Sequence, residues 1–261
     1  MKKALKLILF VVCCCLFMTA GSAFGNNITI YDNRSSATTG WYGMQEDQEV
    51  EPGMIANQNW DLEAFLLDDF TLSMVGGFNF VNGYTYSGNP YTSGDIFIDT
   101  TGDAYYGIDN SPSGPDGDYI PLNYGYEYVI DVDWTSADKS YNVYSLGSSS
   151  ILSQVGETYN QIESNPFKLD KLNNGTLIDS GNFTYSSFSN PQGTHYQVSD
   201  FDLTFIGLDQ DFITHFTISC GNDNLMGKGT TPVSEPATML LFGTGLIGLA
   251  GIGRKKFRKK Q

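Results

Sequence analysis

Alternating apolar and polar positions run through the middle of the chain and predict β-strands there. The pattern is clearest at 70–74, 126–134 and 198–205, where every second side chain is apolar. Residues 61–69 fit a short helix or a strand equally well. Turn-forming Gly, Pro, Asn and Asp residues separate the runs. Shorter predicted strands lie at 28–31, 77–80, 95–99, 141–146, 183–188 and 212–219.

These strands predict an all-β fold class, namely a single β-sandwich of jelly-roll or lectin-like type followed by one C-terminal transmembrane helix. About 200 residues suffice for one hydrophobic core, and the absence of a sequence repeat argues against a solenoid. We divide the chain into a signal peptide (1–23), a β-sandwich ectodomain (24–226), a linker (227–233) and a C-terminal segment (234–261).

The N-terminus has the parts of a secretory signal peptide. A lysine-rich start precedes an apolar run at 7–18, and small residues follow. We expect signal peptidase to cleave after Ala23, with Gly25 as the alternative. The chain is therefore predicted to be exported, and the three cysteines at 13–15 leave with the peptide.

The C-terminal segment combines an apolar run at 237–253 with a basic block at 254–260. As a helix the run reaches roughly 25 Å, near the lower limit for a hydrocarbon core of about 30 Å. Five glycines weaken it as an anchor. The basic block is expected to stay cytoplasmic, so the rest of the chain lies on the outer side of the membrane.

The residues Ser234, Glu235 and Pro236, followed by this run and block, resemble the PEP-CTERM sorting signal of Gram-negative surface proteins. The same signal is also labelled the ice-binding protein C-terminal domain. Here Ser234 stands where the family has its first proline. The resemblance implies recognition by an exosortase. It also implies an intermediate tethered to the inner membrane and delivery to the cell surface or extracellular matrix.

The exported part is strongly acidic. Residues 26–234 hold 28 Asp and Glu against 5 Lys and Arg, a formal charge of −23, whereas the whole chain carries −15. Such a surface repels nucleic acid, so we expect no nucleic-acid partner. Solubility of an exported domain explains most of these acidic residues. The same negative charge also attracts cations.

An aspartate-rich, glycine-containing stretch is the candidate metal site, with Asp95, Asp99, Asp103 and Asp109 as ligands. Calcium prefers several oxygen ligands, which such loops supply. The spacing fits neither an EF-hand nor a nonapeptide repeat, and Asx turns are the alternative explanation. We expect no cofactor other than calcium.

Aromatic residues outside the predicted strands are candidates for stacking on sugars. Trp41, Tyr105 and Tyr106 are the predicted glycan-binding residues. The alternative is that tyrosine is simply common in turns at the edges of a sandwich.

The sequence supplies no catalytic residues that we can name. It has no nucleophile elbow, zinc-protease motif or phosphate loop, and its two histidines are His195 and His215. His215 lies in an alternating run and is predicted to be structural, as is Cys220, which is expected to be buried. We therefore expect a protein that is not an enzyme, with glycosidase activity disfavoured.

The function predicted from these features is that of an exported, exosortase-processed protein of the cell surface or matrix, with a structural or adhesive role linked to exopolysaccharide. The alternative is a carbohydrate-binding module, with or without calcium. Ice binding is disfavoured because the chain has no regular Thr-x-Thr array.

Overall fold

The computed structural model describes residues 25–30, 50, 54–105, 122–155, 164–170, 175–191 and 193–233. Over these residues the fold is all-β and its strand pairs are antiparallel, which confirms the all-β part of the prediction. The strands are β1 Asn26–Asn27, β2 Leu62–Asp68, β3 Thr71–Gly76, β4 Tyr84–Tyr86, β5 Asn89–Tyr91, β6 Ile96–Asp99, β7 Tyr128–Val132, β8 Ser140–Ser145, β9 Leu152–Ser153, β10 Lys168–Leu169, β11 Thr176–Asn182, β12 Thr184–Asn190, β13 Gly193–Asp202, β14 Asp211–Thr217 and β15 Asn224–Thr230.

Two large sheets make up most of the described chain. One has five strands in the order β1-β2-β3-β13-β12, and the other has six in the order β11-β8-β7-β6-β14-β15. Two further sheets have two strands each, β4 with β5 and β9 with β10. The chain passes from an edge of the six-stranded sheet to an edge of the five-stranded sheet between β11 and β12, at the buried residue Phe183.

Side chains from both large sheets meet in one hydrophobic cluster. The alternation predicted from sequence explains this for strands such as β3 and β8, because one face of the strand is apolar and turns towards the other sheet. Full burial of each phenylalanine or leucine side chain contributes about 1.5–3 kcal/mol. Members from the five-stranded sheet include Phe65, Met74 and Phe201, and members from the six-stranded sheet include Ile98, Val143 and Phe216.

Trp134 lies in this cluster directly after β7. Its indole Nε1 donates a hydrogen bond to the carbonyl oxygen of Gly94 at 2.8 Å. Its ring stacks on Phe80 with ring centres 6.1 Å apart, and the ring of Phe201 lies 6.3 Å away. Trp134 therefore joins the two large sheets while its one polar atom is satisfied.

Two segments resolve or differ from the sequence prediction. Residues 61–69, which fitted a helix or a strand, contain strand β2. Residues 77–80, predicted as a strand, are bends and a turn. The main-chain N–H of Phe78 donates to the carbonyl of Asp61 at 3.0 Å, and a side chain at Gly77 would collide with the backbone of Gln58. The aromatic side chains of this segment thus reach the core from a turn.

The last strand extends beyond the predicted end of the ectodomain at residue 226. β15 continues to Thr230, so part of the predicted linker is a strand. Gly227 and Gly229 made this segment look like a linker. A side chain at either position would press on the Phe65 or Phe212 ring, so these glycines allow close packing.

Among the residues that the structure describes, no helix is long and apolar enough to cross a membrane. The predicted span at 237–253 lies outside the described residues. By contact density the chain separates into a unit ending at Thr231 and a second unit, Pro232–Gln261.

Candidate functional site

The predicted metal stretch forms a tight loop at the end of β6. The Asp99 carboxylate accepts hydrogen bonds from the main-chain N–H groups of Thr101 at 2.8 Å, Gly102 at 2.7 Å and Ala104 at 3.1 Å. Gly102 adopts a positive φ of 83°, which favours glycine. An Asx-type turn, the alternative considered from sequence, therefore accounts for the shape of this loop.

Three carboxylates nevertheless converge at the loop. Ligand oxygens of Asp99, Asp103 and Glu127 all lie within 4.8 Å of one another. The hydroxyl of Thr101 contacts Asp103 Oδ1 at 2.5 Å and Glu127 Oε1 at 3.0 Å, and so holds these two side chains together. We call Asp99, Asp103 and Glu127 the acidic cluster. Its hard oxygen donors suit a calcium ion.

Glu127 is a half-buried member of this cluster. Burial raises the pKa of its carboxyl above the ordinary value, and the nearby charge of Asp99 raises it further. Hydrogen bonds from Thr100 and Thr101 act in the opposite direction. A bound cation would favour the ionised form.

The structure brings together only some of the predicted ligands. Asp99 and Asp103 meet, whereas Asp95 is about 13 Å from Asp99 along the extended strand, beyond the reach of one ion. Asp109 lies outside the described residues. Glu127 was missed because it is distant in sequence. Pairing of the predicted strands 95–99 and 126–134 was the signal that would have placed it beside Asp99.

Asp95 is instead a buried structural residue. Its carboxylate accepts hydrogen bonds from the main-chain N–H of Leu169 at 2.9 Å and of Val132 at 3.4 Å. Burial raises the pKa of Asp95 from 3.8 to about 7, and the neighbouring Asp131 contributes to the rise. Asp95 therefore joins β7 to β10.

The predicted glycan-binding residues are only partly within the described chain. Tyr105 is described and is 38 % exposed, while Trp41 and Tyr106 lie outside the described residues. A second group of aromatic residues surrounds Trp60, just before β2. The sequence places Tyr84, Tyr86 and Tyr91 among the aromatic residues outside the predicted strands, but it does not bring them to Trp60, which is far from them along the chain.

The rings around Trp60 form an ordered cluster. The Tyr84, Tyr86 and Tyr91 rings all come from the β4–β5 hairpin and stand roughly perpendicular to the indole, with ring centres 5.0, 6.0 and 5.0 Å away. Edge-to-face contacts of this kind are favourable for aromatic rings. Trp60 is 2 % exposed, so it supports the hairpin from beneath.

An open cleft of about 120 Å³ lies beside this cluster. We call it the aromatic cleft. The side-chain amide of Asn222 forms two hydrogen bonds with the backbone of Ile55, at 3.2 and 3.1 Å, and fixes one wall. Residues that line the cleft include Ile55, Trp60, Tyr86, Tyr91, Cys220 and Asn222.

Cys220 is buried, as predicted, at 4 % exposure. Burial raises the pKa of its thiol to about 11, so the reactive thiolate is scarce near neutral pH. Within the described residues it is a free cysteine. Its position in the aromatic cleft makes it a reporter for that site rather than a nucleophile.

Both histidines are buried. His215 Nε2 lies 3.0 Å from the carbonyl oxygen of Pro166, and burial lowers the pKa of His215 to about 4. His195 Nε2 lies 3.0 Å from the Glu63 carboxylate, a partner that the sequence did not reveal, and its ring stacks on Phe188. Both rings are enclosed in packed structure, which supports structural roles.

The residues predicted for processing lie outside the described residues: Ala23, Ser234, Glu235 and Pro236. Of these, Ser234, Glu235 and Pro236 fall within a stretch that matches a known family of sorting motifs. The PEP-CTERM protein-sorting motif matches residues 232–256. The chain carries a PEP-CTERM sorting motif. This match confirms the resemblance found in the C-terminal segment of the sequence.

The PEP-CTERM match concerns the C-terminal segment alone. It implies export, a membrane-anchored intermediate and processing by an exosortase on the way to the cell surface. No curated protein and no solved structure matches the chain. The evidence for the role of the acidic β-domain therefore comes from its own residues.

Proposed function

We propose that this protein is a structural or adhesive component of the bacterial cell surface or extracellular matrix, linked to exopolysaccharide. Its ectodomain is a single β-sandwich of jelly-roll or lectin-like type, and a C-terminal helix tethers it to the inner membrane until an exosortase releases it. The observation that carries the proposal is the PEP-CTERM match at residues 232–256.

The chemistry of the exported part supports a role without catalysis. Residues 26–234 carry a formal charge of −23, which keeps a secreted domain soluble by self-repulsion. The two histidines are enclosed, one against Glu63 and one against Pro166. Neither is placed as a general base at an open cleft.

A carbohydrate-binding role is the second candidate, and the aromatic cleft favours it. Exposed aromatic rings stack on the apolar faces of sugars. The Tyr86 ring is 39 % exposed beside the cleft. Such a module would supply the contact through which the protein adheres to a polysaccharide.

Substitution of the motif tests the sorting proposal. Glu235→Ala combined with Pro236→Ala, expressed in an exosortase-containing host, should leave the protein in the inner-membrane fraction, whereas the unaltered protein reaches the surface. Leu208→Ala, which changes an exposed side chain outside residues 232–256, is the control and should be sorted normally. Equal surface exposure of the double variant and the unaltered protein, measured by protease treatment of whole cells, would refute the proposal.

A further inference from the structure

The aromatic cleft has the size of one six-membered ring. Its volume is about 120 Å³. A cavity of about 150 Å³ holds a benzene molecule, so the cleft takes one ring rather than an oligomer. It is open to solvent on the side of Tyr86 and Ile55, which are each 39 % exposed. A longer ligand would therefore place a single unit in the cleft and leave the rest outside.

The hairpin that carries Tyr86 is held in place before any ligand arrives. Ser87 and Gly88 form its turn with positive φ values of 50° and 84°, as expected for a tight two-residue hairpin. Trp60 supports the hairpin rings from below, and Tyr84 lies at 31° to Tyr86 with ring centres 6.4 Å apart. A preformed aromatic surface loses little conformational entropy on binding.

The border of the cleft beside Tyr86 suits a hydroxyl-bearing ligand. Asn89 pairs with Tyr86 in the hairpin and lies on the same face, and Ser87 follows Tyr86 in the turn; both are exposed, polar and uncharged. Their side chains donate and accept hydrogen bonds as sugar hydroxyls require.

Charge restricts the ligand further. Among the described residues, those that line the cleft are uncharged. The exported part around it has a formal charge of −23, so an anionic polysaccharide is repelled over the distance of a Debye length. The site therefore suits a neutral sugar and disfavours a uronic acid.

We propose that the aromatic cleft binds one neutral hexopyranose unit of a glycan, with the apolar C–H face of the sugar against Tyr86 and its hydroxyls towards Ser87 and Asn89. The inference rests on the proposed function in one respect, since export brings the domain to polysaccharide outside the cell. The site differs from Trp41, Tyr105 and Tyr106, the residues selected from sequence.

Titration of the full-length chain with defined polysaccharides tests this site. The chain is purified in a polyoxyethylene detergent, which contains no sugar, and dextran, mannan and galactan serve as neutral probes with alginate as the anionic probe. We expect binding to at least one neutral probe and none to alginate. Tyr86→Ala should weaken binding about three- to tenfold, which equals about 0.7–1.4 kcal/mol and lies within the usual contribution of an aromatic stacking contact.

Two matched variants separate stacking from other effects. Tyr86→Phe keeps the ring and should bind within about twofold of the unaltered protein. Leu177→Ala removes an exposed apolar side chain of β11, outside the cleft, and should bind normally. A second measurement locates the ligand: the bound neutral glycan should shift the tryptophan emission, and Trp60→Phe, which changes the tryptophan that lines the cleft, should remove that shift.

Failure to bind any neutral probe overturns the inference, as does equal binding of alginate or normal binding by Tyr86→Ala. Self-association that disappears in Tyr86→Ala, with no glycan binding, would assign the cleft to a second copy of the chain and also overturn it. Protease treatment of whole cells that produce Tyr86→Ala reports sorting independently. Normal surface exposure of that variant means that loss of the glycan site leaves the proposed function intact.

Discussion

Asp95 and His215 are buried side chains whose pKa values move in opposite directions. Burial raises the pKa of Asp95 to about 7 and lowers that of His215 to about 4. The pKa of Asp95 in the folded protein exceeds the ordinary value of 3.8. Its contribution to the free energy of unfolding is therefore fully present below pH 3.8 and is lost as the pH rises through about 7. For His215 stabilisation is present above 6.5 and is lost as the pH falls through 4.

The two effects oppose each other between pH 4 and 6.5, and one substitution should reveal this. In Asp95→Asn the His215 effect acts alone, so the free energy of unfolding should fall with decreasing pH by up to about 1.4 kcal/mol per unit relative to the unaltered protein. His215→Gln should show the reverse slope. Urea unfolding at pH 4.5, 5.5 and 6.5 measures both.

The result that contradicts this account is an Asp95→Asn profile parallel to that of the unaltered protein over the whole range. Comparison of slopes rather than of absolute stability removes any constant cost of the substitution. It also removes the contribution of the many exposed carboxylates, which all three proteins share.

At the scale of elements, the loop after β6 is where calcium should act. The acidic cluster, Asp99, Asp103 and Glu127, brings three like charges within 4.8 Å, and a divalent cation relieves their repulsion. We predict that millimolar calcium after chelation raises the melting temperature by about 2–4 °C, equivalent to about 1 kcal/mol.

Two substitutions in the cluster and one outside it make this test specific. Asp103→Asn combined with Glu127→Gln should abolish the response to calcium, as measured by a thermal melt and by calorimetry. Asp138→Asn changes an exposed carboxylate elsewhere and should preserve the response. If calcium leaves the melting temperature of the unaltered protein unchanged and gives no heat of binding, the prediction is wrong. Formation of the Asx turn is then the only role of these residues.

Elements with one buried face were predictable, and elements at sheet edges were not. β7 and β13 alternate because one face packs in the core. β11 was missed because this edge strand is exposed along most of its length and has no alternation. β15 was taken for a linker because Gly227 and Gly229 replace side chains where Phe65 and Phe212 pack.

The candidate sites were less predictable than the strands for the same physical reason. Glu127 reaches Asp99 only through the pairing of β6 with β7, in which Ile98 faces Tyr128. Trp60 meets Tyr86 and Tyr91 through packing of a separate hairpin. Sequence proximity indicated the acidic loop in part, and it gave no indication of the aromatic cleft.

At the scale of the whole molecule, the C-terminal sorting motif determines the destination of the chain, and the middle determines what it does there. The PEP-CTERM motif matches residues 232–256, while the described all-β part supplies the acidic surface, the acidic cluster and the aromatic cleft. The basic block at 254–260 hides much of the acidity of the exported part, because it offsets six of its negative charges. Removal of this block is thus the central step of the account.

Mass spectrometry of the C-terminus of surface-exposed protein tests that step most directly. The protein is released from intact producing cells, digested and searched for its last peptide. We predict a C-terminus close to Ser234, Glu235 and Pro236 and no peptide from the basic block, because exosortase processing removes the membrane span. Recovery of residues 255–261 on surface-exposed protein would contradict the account.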